Sequence, residues 1–98
     1  MKIAVASEGK SQDSNVSLKA GRAPFYLIFE DKKLVETIKN PFATGGGGAG
    51  LSVAHMLAEK QVKLVIASKL GPNMESALKE KGINIQEEIG KKVSELIK

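Results

Sequence analysis

Two short runs constrain this chain more than anything else in it. Ile3, Ala4, Val5 and Ala6 are apolar without interruption, and so are Leu64, Val65, Ile66 and Ala67. Apolar runs this short, with no alternation, read as strands whose two faces are both covered. A chain with two such strands needs a central sheet and something packed on each side of it. With 98 residues there is room for one such core, hence one domain over residues 1–98.

The remaining elements follow from periodicity. Phe25, Tyr26, Leu27, Ile28 and Phe29 form the most β-prone stretch. Asp31 and Lys32 mark a tight turn into residues 33–39, where Leu34, Glu36 and Ile38 alternate with Val35 and Thr37 as in an outer strand. Leu51, Ala54, Leu57 and Ala58 predict a helix over residues 51–60. Pro72 opens a second helix, with Met74, Ala77 and Leu78 on its inner stripe and Gly82 as its stop. Ile83 and Ile85 predict a short last strand, and Ile89, Val93, Leu96 and Ile97 a closing amphipathic helix. Residues 7–21 read as a long polar loop of the kind that carries function. The order β-ββ-α-β-α-β-α places the chain in the α/β class. It predicts a mixed five-stranded sheet with helices on its faces and the two apolar strands adjacent at its centre.

Function is expected at one rim of that sheet. Gly45, Gly46, Gly47 and Gly48 precede the first helix, with Gly50 just beyond. A glycine turn leading into a helix N-terminus leaves unpaired N–H groups beside a partial positive charge, which suits an anion. The run fits neither the GxxxxGK[ST] nor the GxGxxG pattern, and a plain flexible connection is the competing reading. If the second strand is antiparallel to the first and the fourth parallel to it, the long loop, the glycine run and the Gly71-Pro72 turn meet at one end. The candidate ligand-binding set is therefore Ser7, Lys19, Arg22, Gly45, Gly46, Gly47, Gly48, Gly50, Lys69, Gly71 and Asn73. Each lysine alone reads as a solvated surface residue; their convergence gives the set its weight.

Composition narrows the chemistry. The absence of cysteine excludes disulfides, thiolate ligands and a thiol nucleophile. His55, the sole histidine, excludes a multi-histidine metal site, and it sits four residues before Glu59 on the polar side of its helix. The central strands carry no carboxylates to anchor a two-metal nuclease, and no serine has a base beside it, so no enzyme is expected. A net charge of +4 and a pI near 9.4 attract anions of any kind. With one Tyr and three Phe, the chain lacks the stacking platforms of a dedicated single-strand binder. RNA or nucleotide binding at the same rim remains the alternative, with a metal-dependent nuclease ranked below it. No apolar run approaches the ~20 residues needed to span a bilayer. The apolar start ends at Ser7 and Glu8, too early for a signal peptide, and a cytoplasmic protein is expected.

The motifs together resemble a known family. Residues 2–9 (KIAVASEG), 13–17 (DSNVS) and 21–26 (GRAPFY) resemble the start of the dinitrogenase iron-molybdenum cofactor family, which includes NifX- and NafY-type carriers and the NifB C-terminal domain. The likeness continues through Asn40-Pro41, the glycine run, Leu70-Gly-Pro-Asn73, Ala77-Leu78 and Gly82-Ile83, and so covers nearly the whole chain. It implies a ribonuclease-H-like fold. It also implies a non-catalytic role: holding an iron-sulfur or iron-molybdenum cluster precursor on its way to nitrogenase, with a cofactor-assembly protein as partner. Where the family often reads Ser-Glu-His-Phe-Gly-Arg, this chain reads Ser17-Leu-Lys-Ala-Gly-Arg22. Lys19 thus replaces the histidine thought to contact the cluster. A protonated lysine does not ligate iron, but it attracts an anionic cluster.

Overall fold

The computed structural model describes residues 1–44 and 48–97. Strands β1 (Lys2–Ser7), β2 (Phe25–Glu30), β3 (Lys33–Lys39), β4 (Val62–Ala67) and β5 (Asn84–Glu87) form one sheet in the order β3-β2-β1-β4-β5. β1 pairs antiparallel with β2 and parallel with β4; β2 and β3 are antiparallel, β4 and β5 parallel. The two uninterrupted apolar strands, β1 and β4, are therefore neighbours inside the sheet, as their patterning requires. Ala4, Val5, Ala6, Val65, Ile66 and Ala67 are all buried.

Alternate residues of these strands feed two cores. Ala4, Ala6, Tyr26, Ile28, Val65 and Ala67 face helices α1 (Ala49–Glu59) and α2 (Pro72–Glu80), which contribute Val53, Ala54, Leu57, Met74, Ala77 and Leu78. Val5, Leu27, Phe29 and Ile66 face the other way and are covered by Val16, Val93, Leu96 and Ile97. Helices thus lie on both faces, in the α/β arrangement read from the sequence, although among the described residues the second face carries only the one-turn helix α3 (Val93–Leu96).

Two elements depart from the sequence reading. The closing helix does not begin near Ile89. Gly90 takes a left-handed conformation (φ 71°), and Lys92 is extended, forming a bridge with Asn15. The N–H of Val16 donates to the Lys91 carbonyl at 2.9 Å. These pairings hold residues 90–92 out of the helix and leave Ile89 exposed. They also order the loop after β1, which a bridge between Ser7 and Val16 ties back to the sheet. In β3 exposed and half-buried residues alternate as expected, but the half-buried side chains do not all share one face. Phe29 pairs with Leu34 but Ile28 with Glu36, so Val35 is an extra residue that bulges outward. Leu34 therefore packs on the α3 side, and Ile38 on the α1/α2 side. Asp31 and Lys32 form the expected tight turn, both with positive φ (51° and 67°).

Candidate functional site

The strand ends that the sequence sends to one rim meet there. β1 finishes at Ser7 opposite Phe25, the start of β2, which in turn pairs with Lys39 at the end of β3. β4 runs parallel to β1 and finishes at the same side. Past these ends lies an open pocket of about 520 Å³. One wall is the segment Leu18, Lys19, Ala20, Gly21 and Arg22; the floor is Ala49 and Gly50 of α1; the far wall is Lys69, Leu70, Gly71, Pro72, Asn73 and Met74.

The floor is close-packed because it is glycine. A Cβ on Gly50 would stand 2.8 Å from the Met74 Cβ, and one on Gly21 would stand 3.2 Å from the Gly50 backbone nitrogen. The Ala20–Arg22 turn, α1 and α2 therefore touch almost backbone to backbone. That contact brings the starts of both long helices to one hollow.

α2 begins with Pro72 in its first turn, and no side chain caps it. The N–H of Glu75 donates to the Gly71 carbonyl at 3.0 Å, closing the first turn. The N–H groups of Asn73 and Met74 come before that bond and have no intrahelical acceptor. Glu75, the acidic residue of this turn, is paired with Lys79 at 3.1 Å. α1 likewise has no side-chain cap; its N-cap is Gly48, in the left-handed region at φ 83°. Three cationic side chains, Lys19 and Arg22 from one wall and Lys69 from the other, complete the lining. A second hollow of about 700 Å³, with Glu8, Asn15, Val16, Ser17, Pro24 and Gly90, shares Leu18, Lys19 and Arg22 with the first. Residues 18–22 thus form a ridge between two depressions.

Of the residues expected from the sequence, Lys19, Arg22, Gly50, Lys69, Gly71 and Asn73 line the first pocket together. Gly48 sits at the start of α1 but outside that lining. Ser7 is fully buried, and its hydroxyl closes a turn: it donates to the Gly9 carbonyl at 2.7 Å and accepts from the Gly9 N–H at 3.2 Å. Gly45, Gly46 and Gly47 lie outside the described residues. His55 and Glu59, both exposed, face each other at 3.5 Å on the surface of α1. Among the described residues, no cluster of three or more His, Cys, Asp and Glu is placed to hold a metal ion.

Sequence reasoning missed two residues that shape the site. Asn40, 4% exposed, donates from Nδ2 to the carbonyls of Gly21 (3.1 Å) and Ala23 (2.9 Å) and accepts from the Phe42 N–H at Oδ1 (3.0 Å). The Tyr26 hydroxyl donates to the Ala20 carbonyl. Burial pushes the Tyr26 phenol well above its ordinary ionisation range, so it stays a donor. The sequence signal was a polar Asn placed between an edge strand and Pro41, where a buried side chain needs partners.

The comparisons with known proteins agree with this fold. The sequence profile of the dinitrogenase iron-molybdenum cofactor family matches residues 1–98. The apo form of the orange protein from Desulfovibrio gigas shares 27% identity at a TM-score of 0.90, over 98% of this chain and 82% of that one. A putative NifB protein from Thermotoga, TM1290, shares 32% identity at a TM-score of 0.83, over 98% of this chain and 83% of its own. PH0822, at 20% identity and a TM-score of 0.81 over 99% of this chain and 86% of its own, shares the fold. No curated protein matches. Among the described residues, no helix is long and apolar enough to cross a membrane. The profile spans the chain from end to end, and the chain belongs to the dinitrogenase iron-molybdenum cofactor family.

Proposed function

We propose that this protein is a non-catalytic carrier that holds an anionic metal–sulfur cluster, an iron-molybdenum or iron-sulfur cofactor precursor, in the pocket between residues 18–22 and 69–74. The observation that carries this reading is convergence. Lys19 and Arg22 from one segment and Lys69 from another reach one pocket, and the uncapped start of α2 lines it. An anion there gains from the Asn73 and Met74 N–H groups, which have no acceptor within the helix, and from charge-assisted hydrogen bonds. The pocket is open, so a cargo can enter and leave without unfolding the protein. With no cysteine in the chain and a lysine at position 19, retention is electrostatic rather than covalent. Weak retention suits a carrier that passes its cargo to an assembly protein. A sulfide-bearing cargo and a chain without cysteine both fit the reducing cytoplasm.

Titration with tetrathiomolybdate, a small molybdenum–sulfur dianion, tests the reading. The wild-type protein binds it with an affinity that falls as salt rises, and Lys19→Met and Lys69→Met each weaken it several-fold. A wild-type protein that binds neither tetrathiomolybdate nor isolated iron-molybdenum cofactor, with Lys19→His restoring neither, refutes the carrier function. Steeply salt-dependent binding to oligonucleotides in place of these probes would assign the rim to nucleic acid instead.

A further inference from the structure

The ridge at residues 18–22 separates two hollows and carries two of the three cations, so its placement decides what the pocket presents. It is held from beneath by buried donors. Tyr26 takes the Ala20 carbonyl, and Asn40 takes those of Gly21 and Ala23. Ala20 and Gly21 line the pocket. A carbonyl oxygen turned toward an anion would repel it; these two are bonded to donors in the core instead. Asn40 is fixed in turn: its own N–H donates to the Pro24 carbonyl at 3.0 Å, and its carbonyl accepts from Ala43 at 3.3 Å. Both of its side-chain polar atoms are used, so it has no slack in which to rotate.

We infer that Asn40 is a positioning residue that raises the affinity of the pocket for an anion, by holding the ridge that carries Lys19 and Arg22 with its Gly21 and Ala23 carbonyls turned inward. It touches no cargo and acts through residues 19–23. This inference rests on the carrier reading and adds a residue outside the lining on which its affinity depends.

A double-mutant cycle tests it, with tetrathiomolybdate as the probe and isothermal titration as the readout. Asn40→Ala weakens binding about ten-fold, the equivalent of about 1.4 kcal/mol. Against a Lys19→Met background the same substitution weakens it only about three-fold, because one of the two ridge cations that Asn40 positions is already gone and Arg22 alone remains. A general loosening of the fold would give the same loss in both backgrounds. Full additivity, or an Asn40→Ala protein that binds like wild type, overturns the inference and leaves the carrier reading standing. A wild-type protein that binds no probe overturns both. Should Asn40→Ala fail to fold, Tyr26→Phe, which removes only the hydroxyl on the Ala20 carbonyl, runs through the same cycle with the same criterion.

Discussion

Gly50→Ala is the sharpest probe of the pocket floor. In an ordinary helix, replacing Gly by Ala gains up to about 1 kcal/mol from propensity. Here the added Cβ lands 2.8 Å from the Met74 Cβ and 3.4 Å from its Cα, so the obstacle is the root of a side chain on a neighbouring helix rather than a flexible tip. Relieving it means moving α1 away from α2, and overpacking of this kind costs about 1–3 kcal/mol. Since Met74 Cβ cannot rotate away, the cost falls in the upper part of that range, about 2–3 kcal/mol, and the net loss is about 1–2 kcal/mol. For a domain of this size that lowers Tm by roughly 5–15 °C. Gly71→Ala is the control: it lines the same pocket, has φ −71°, and its added Cβ meets nothing within 4 Å. It stays within about 0.5 kcal/mol of wild type. Thermal melts followed by circular dichroism compare the two. A Gly50→Ala protein as stable as wild type, or more so, would refute the claim that α1 and α2 meet there without room for a methyl group.

Two further outcomes follow from the same structure. Gly48→Ala places a Cβ at φ 83° in open space, so only the backbone term acts; it costs about 1–2 kcal/mol, read as a shift in urea midpoint. Tyr26 is the single tyrosine, and burial raises its pKa in the folded state. The neutral phenol therefore contributes stability that is fully present below about pH 10 and is lost as pH rises beyond it, because the unfolded chain releases the proton first. Phenolate absorbance should appear together with unfolding, as one transition; a phenolate signal that precedes loss of ellipticity would contradict this burial.

The parts of the fold legible in the sequence are those fixed by local patterning. β1 and β4 show as unbroken apolar runs because both faces of each are covered. α2 shows because Pro72, the Met74/Ala77/Leu78 stripe and Gly82 punctuate it from start to stop. The misreadings arise where a distant partner overrides the local pattern. The spacing of Ile89, Val93 and Leu96 is helical, but Asn15 and Val16 claim residues 91 and 92 for extended pairing. The alternation at residues 34–38 gives no sign of the bulge, since only the register against β2 reveals it. At the site, the cations and helix starts could be placed because topology alone sends them to one rim. The roles of Asn40 and the Tyr26 hydroxyl could not: Asn40 before Pro41 marks a polar side chain in need of partners, but those partners are backbone groups, which residue identity does not single out.

The extra residue at Val35 governs what can join the sheet from outside. β3 is an edge, seven residues long, with free backbone groups along its outer side. A straight visiting strand could match the ladder on one side of Val35 or the other, but not both. Lys33 and Lys39, at the two ends, would set like charges against any identical strand arriving in antiparallel register. Growth of the sheet by accretion of further molecules is thus blocked at this margin, and crowded conditions should not draw the protein into fibres through it.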